Sequence, residues 1–108
     1  KKIQTKLKKI SIKKNMVWCD DSRSKKYNQL TFLPSRYNYE KLYRKDNIYD
    51  LILVLNYNMN PIKKNKGSAI FIHLTKNYNP TAGCIALSLK DFLILVKLIK
   101  KNTKIRII

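Results

Sequence analysis

The stretch that decides the fold runs from residue 67 to residue 101, "GSAIFIHLTKNYNPTAGCIALSLKDFLILVKLIKK". It holds both glycines of the chain, its lone histidine and one of its two cysteines. "SAIFIHL" is a compact apolar run of strand length, with His73 near its end. "TKNYNPTAG" is dense in turn formers, and "CIAL" opens another strand. From Ser88 the period changes. Ser88 with Asp91 three residues on is a capping-box-like start. Phe92, Leu95, Val96 and Ile99 then fall at i, i+3, i+4 and i+7, one apolar face of a helix. Lysines crowd its last turn, where they complement the negative end of the helix dipole.

Upstream, "NIYDLILVLNY" (47–57) reads as a buried strand and "NMNPIKKNKG" (58–67) as a loop. "QLTFL" (29–33) is a short strand stopped by Pro34. "SRYNYEKLYR" (35–44) holds a helical turn with Tyr39, Leu42 and Tyr43 on one side. "WCDDSRSKKYN" (18–28) reads as a polar loop, its Asp20 and Asp21 as turn formers. At the ends, "IQTKLKKISI" (3–12) alternates as an edge strand with lysines outward, and "TKIRII" (103–108) reads as a closing strand. There is no internal repeat and no low-complexity linker. The expected fold class is mainly β with one helix packed on the sheet. It forms a single domain, 1–108, whose motif-bearing core is 48–108, and 108 residues leave room for a small core only.

With 24 Lys+Arg against 6 Asp+Glu, the formal charge is +18. A basic balance of this size points first to nucleic acid or another anionic surface. The lysines are spread along the chain, however, and Asn and Ile are abundant too, a joint excess that AT-rich codons produce. No apolar run reaches the ~20 residues that span a bilayer, and no signal-peptide pattern opens the chain. Trp18 and the seven tyrosines are dispersed, as core or rim residues are. The amphipathic helix is expected to pack on its own sheet rather than on a membrane.

Chemistry concentrates at His73 and Cys84. Both fall at ends of expected strands joined by one loop, and adjacent strands lie ~5 Å apart. The spacing therefore allows imidazole and thiol to meet as an ion pair or as a base–nucleophile pair. Gly83 permits a sharp turn and close substrate approach, and bare amides around Gly83 and Cys84 can face a developing oxyanion. Pro80 stiffens the loop. The bland reading of the same residues is a small buried thiol and a satisfied structural imidazole. A Cys19–Cys84 disulfide would silence the thiol. The Cys19-Asp20-Asp21 cluster, His73 and Cys84 lack compact metal-ligand spacing, so no metal and no cofactor is expected.

At these residues the sequence resembles the L,D-transpeptidase catalytic domain of bacterial cell-wall enzymes. That family carries a His, a loop, then Ser/Thr-x-Gly-Cys entering a strand; here these are His73 and Thr81-Ala82-Gly83-Cys84. The likeness is closest to a branch of the style "GSAIFxH…PTxGCxAL". It extends to "WCDD…YN" (Trp18 to Asn28) and "YDLILVLNYN", which ends at Asn58. The resemblance implies Cys84 as the nucleophile, His73 as the base oriented by the Leu74 carbonyl, and the Gly83–Cys84 backbone as the oxyanion site. It places Thr81 and Asn58 on the substrate side. It implies a sandwich-like or barrel-like β domain, peptidoglycan stem peptides as partners, and a periplasmic or cell-envelope location. Three departures stand out. Ala82 replaces a His common before Gly-Cys. Ala86 replaces an Arg common two residues after the Cys, which removes a cation for a substrate carboxylate, a part that nearby Lys76 or Lys90 would have to play. The strands that ordinarily precede the matched region are not in this sequence, so a partial domain is expected.

The leading expectation is thus a cysteine acyltransferase acting on stem peptides, with no nucleic-acid partner. Its alternatives are a basic nucleic-acid-binding module, and an L,D-carboxypeptidase or inactive remnant of the same fold. The nucleic-acid reading gives no reason for Gly83-Cys84 after a Pro-Thr turn.

Overall fold

The computed structural model describes residues 3–75 and 84–105. Six short strands precede one helix: β1 (Met16–Cys19), β2 (Gln29–Phe32), β3 (Tyr39–Lys41), β4 (Ile52–Val54), β5 (Phe71–Leu74), β6 (Ile85–Leu87) and α1 (Leu89–Leu98). The strands form two three-stranded sheets, ordered β2-β1-β3 and β4-β5-β6. The first is antiparallel throughout. In the second, β4 pairs antiparallel with β5, while β6 runs parallel to it. The mainly β class with a single helix in the C-terminal half is as expected.

Two hydrophobic clusters lie on opposite faces of the second sheet. Side chains alternate faces along a strand, so one face of this sheet carries Ile52, Phe71, Ala86 and Cys84 and the other Leu53, Ile72, Leu74, Ile85 and Leu87. The first face meets the first sheet: Phe71, Ile52 and Cys84 pack with Met16, Trp18, Leu42, Tyr49 and Ala69. Trp18 and Tyr49 both stand edge-on to the Phe71 ring, with centroids 5.2 and 5.9 Å away. The second face is covered by α1, where Ile72, Phe92 and Val96 are buried and Leu95, Ile85 and Leu87 pack against them. Full burial of an aliphatic or aromatic side chain contributes ~1.5–3 kcal/mol, so these few contacts carry much of the second sheet's stability.

The helix forms as the sequence dictates. The Ser88 side chain caps it by accepting from the Asp91 N–H at 3.2 Å, and Phe92 and Val96 face the sheet. Five other segments differ from expectation. Of the strand expected over 47–57 only Ile52–Val54 forms, residues 47–51 being bend and turn. Residues 3–12 form no strand; Ile3 packs on the helix cluster and the Thr5 hydroxyl donates to Val96 O at 2.7 Å, so the segment is spent covering α1. Trp18 and Cys19 belong to β1, the central strand of its sheet, with all four residues buried. The expected helical turn around Tyr39 is instead β3, whose Tyr39 and Glu40 pair with Cys19 and Trp18. Residues 103–105 form no strand, and the rest of "TKIRII" lies outside the described residues.

The loops are turned by asparagines. Asn28, Asn47, Asn58 and Asn65 all have positive φ, between 54° and 67°. Asn tolerates the left-handed region better than other residues with side chains. Gly67 sits at φ 125°, and a Cβ there would come within 2.7 Å of the Tyr57 ring. Ala69 also has a positive φ, 57°.

Candidate active site

The parallel pairing of β5 and β6 fixes the geometry of the expected pair. His73 stands opposite Ala86 and Ile72 opposite Ile85. Cys84 precedes Ile85, and continuing the register sets it level with Phe71. His73, Phe71, Ala86 and Cys84 thus share one face of the sheet, the face toward the first sheet. The ring and the thiol are diagonal neighbours, one strand apart (~5 Å) and two residues along (~3.3 Å each).

His73 is buried, at 8% exposure, and its Nδ1 lies 2.8 Å from the Leu74 carbonyl oxygen. A carbonyl only accepts, so Nδ1 carries the proton and the neutral ring keeps a lone pair on Nε2. In this tautomer Nε2 is the ring's acceptor nitrogen. The Tyr49 ring meets the imidazole edge-on, centroids 5.5 Å apart, which holds the ring plane from the side.

Cys84 is half-buried, and its thiol donates to the Ala69 carbonyl at 3.3 Å. Burial pushes the thiol above its ordinary pKa; a main-chain hydrogen bond at Phe71 pulls the other way, and the Glu40 carboxylate adds to the rise. This environment favours a neutral resting thiol. Cys19 and Cys84 are both free thiols, and the alternative of a disulfide between them is not realised.

Two further side chains belong to this site. Glu40 shares the Trp18 side of the first sheet and accepts a short hydrogen bond from the Tyr49 hydroxyl. Burial and this carboxylate, with a smaller contribution from Cys84, hold the Tyr49 phenol well above its ordinary pKa, so it remains a donor. Arg44 lies over the Tyr49 ring, 5.2 Å from its centroid, and is clamped by Asp46. Tyr49 also lines an open cleft of about 560 Å³, together with Ile12, Lys14, Leu42, Tyr43 and Arg44. The apolar pattern of "NIYDL" signals only a strand; the contacts of Tyr49 and Glu40 arise from how the two sheets face each other, which local sequence does not encode.

Asn58, expected on the substrate side, spends its side chain within its own loop. Its amide donates to Lys63 O at 2.7 Å and Gly67 O at 2.9 Å, and accepts from the Lys63 N–H at 2.8 Å. Thr81, Gly83, Pro80 and Lys76 lie outside the described residues. Lys90 is exposed on the first turn of α1. Among the described residues there is no group of three or more His, Cys, Asp or Glu that would hold a metal ion, and no helix is long and apolar enough to cross a membrane.

Comparison with known proteins agrees with this arrangement at the level of family. The YkuD family model, the L,D-transpeptidase catalytic domain, matches residues 3–107. No curated protein and no solved structure matches the chain. The family match spans both sheets, the helix and the His73–Cys84 face, and on that basis the chain belongs to the L,D-transpeptidase catalytic domain family.

Proposed function

We propose that this domain transfers acyl groups between peptidoglycan stem peptides through a thioester on Cys84. The observation that carries the reading is the shared sheet face of His73 and Cys84, with Nδ1 engaged by Leu74 O and Nε2 left as the basic nitrogen. Nε2 takes the thiol proton as sulfur attacks the carbonyl between the third (L) and fourth (D) residues of the donor stem. The C–N bond then breaks, the imidazolium returns its proton to the leaving amine, and a thioester remains. An amine of a second stem attacks the thioester, loses its proton to Nε2, and releases Cys84 as thiol. General acid–base help of this kind contributes about 10²–10⁴-fold. Main-chain amides at Gly83 and Cys84 are assigned the oxyanion, where each donor is worth roughly 3 kcal/mol of barrier.

In this reading the cleft beside Tyr49 seats part of the stem peptide. Lys14 in its lining takes the place of the cation that Ala86 does not supply. The family match supports an enzymatic role, and with it a peptidoglycan substrate in the cell envelope.

The test is mass spectrometry of the intact protein after exposure to a stem tetrapeptide or a penem-type β-lactam. A covalent adduct on the wild-type protein, absent from Cys84→Ala with an unchanged melting curve, is the expected result. An adduct that persists in Cys84→Ala overturns the assignment. Product analysis with and without an acceptor amine separates cross-linking from hydrolysis to a trimmed stem.

A further inference from the structure

The Cys84 thiol rests on the carbonyl of Ala69, and Ala69 has no local reason to be where it is. It is not glycine, yet its φ is 57°. In that region Cβ crowds the following carbonyl, so the conformation persists only where surrounding structure imposes it. Ala69 is 8% exposed, and its N–H donates to Asn28 Oδ1 at 3.2 Å. The same oxygen accepts from Trp18 Nε1 at 3.0 Å. The other end of the Asn28 amide donates to Tyr57 O at 3.1 Å and Asn58 O at 2.8 Å. Both lone pairs and both protons of this amide are thereby used, and its orientation follows from its partners, since Nδ2 cannot accept from two N–H groups. Asn28 is itself 2% exposed, in a left-handed turn closed by its own N–H on Cys19 O at 2.8 Å.

We infer that Asn28 is a positioning residue for the nucleophile: its side chain holds Ala69 in the left-handed conformation that aims the Ala69 carbonyl at the Cys84 thiol. The chain of contact is Trp18 and the 57–58 backbone to Asn28, Asn28 to Ala69, and Ala69 to sulfur. It sets the thiol's direction on the sheet face it shares with His73. The catalytic meaning of this direction rests on the acyl-transfer reading; the positioning itself does not.

The test is built on the pH profile of Cys84 alkylation by iodoacetamide, read by peptide mapping at Cys84 alone and at temperatures where each variant is folded. Among the described residues, the chargeable groups disposed toward the sulfur are Glu40 from β3 and Tyr49, with His73 on the same sheet face, and all three stay in place. Asn28→Gly keeps the left-handed turn at position 28 while removing the amide without adding charge. The expected result is a midpoint moved to lower pH, because the thiol loses the acceptor that favours its protonated form, with acyl-enzyme formation slowed at least tenfold. Ala69→Gly with Asn28 intact is expected to leave the midpoint where it is, since Oδ1 still fixes the backbone. An Asn28→Gly protein with the wild-type profile overturns the inference. So does an Ala69→Gly protein with a shifted profile, which decides the matter even where Asn28→Gly does not fold. Wild-type protein that alkylates normally but forms no adduct with a stem tetrapeptide counts against the transpeptidase reading alone.

Discussion

The two faces of the β4-β5-β6 sheet are made from alternate residues of the same three short strands, yet they carry different chemistry. The helix-side face is aliphatic: Leu53, Ile72, Leu74, Ile85 and Leu87 meet Phe92 and Val96 of α1. The opposite face is mixed: Phe71 packs among aromatics, and beside it stand His73, Cys84, Tyr49 and the Glu40 carboxylate. On the first face, burial is the whole function. On the second, His73, Tyr49 and Cys84 each hold a directed hydrogen bond within an otherwise buried aromatic cluster. The sheet thus separates an aliphatic packing face from the face of the proposed chemistry, and single substitutions on the two faces should fail in different assays.

The largest separation is expected from His73→Gln. Loss of the Nε2 base should slow acyl-enzyme formation by about 10²–10⁴-fold, read by single-turnover mass spectrometry, with a melting curve close to wild type. Phe92→Ala should do the reverse. A buried Phe→Ala change costs ~3–5 kcal/mol, a drop visible in denaturant melts, while the alkylation rate of Cys84 in the folded fraction stays the same. If Phe92→Ala changes the folded-state rate as much as His73→Gln does, the two faces are not independent.

The thiol's pKa sharpens the same contrast. Because burial raises it in the folded state, alkylation of native protein should keep rising above the ordinary thiol range of about 8.5. The linkage has one sign: the neutral thiol's contribution to stability is full below the unfolded pKa and is lost as pH rises through the folded one. Cys84→Ala should therefore remove an alkaline decline in melting temperature that Phe92→Ala retains. A smaller effect is expected in the cleft, where Lys14→Glu should raise KM for an anionic stem peptide several-fold, with kcat unchanged and the difference shrinking in salt. The smallest belongs to the outer side of α1. Leu98 is 70% exposed, and Leu98→Lys should move stability by no more than about 0.5 kcal/mol.

What could be read in advance follows the range of the forces involved. The helix was legible because its cap and its apolar stripe are local, and Ser88, Phe92 and Val96 perform the parts their spacing assigns. The cores of β2, β4, β5 and β6 were legible as short apolar runs. β1 was missed because its last two residues, Trp18 and Cys19, lead straight into Asp20 and Asp21 and take on the look of the polar loop. β3 was lost because Tyr39, Leu42 and Tyr43 mimic a helical face while Glu40 follows the strand's own alternation. The parallel pairing of β5 and β6 has no signature in composition. The abundant asparagines, read as codon bias, also have conformational work, since four of them occupy left-handed positions. His73 and Cys84 stood out as rare residue types in a suggestive order. Glu40, Tyr49, Asn28 and Ala69 did not, because their importance arises only when the two sheets close on each other.

The unequal placement of the two free thiols has a practical side. Cys19 is 2% exposed in the central strand of its sheet, whereas Cys84 is half-buried at the mouth of β6. A bulky maleimide should label one site per native molecule and two after denaturation. The ratio reports the folded fraction directly, so a preparation can be assessed without any substrate in hand.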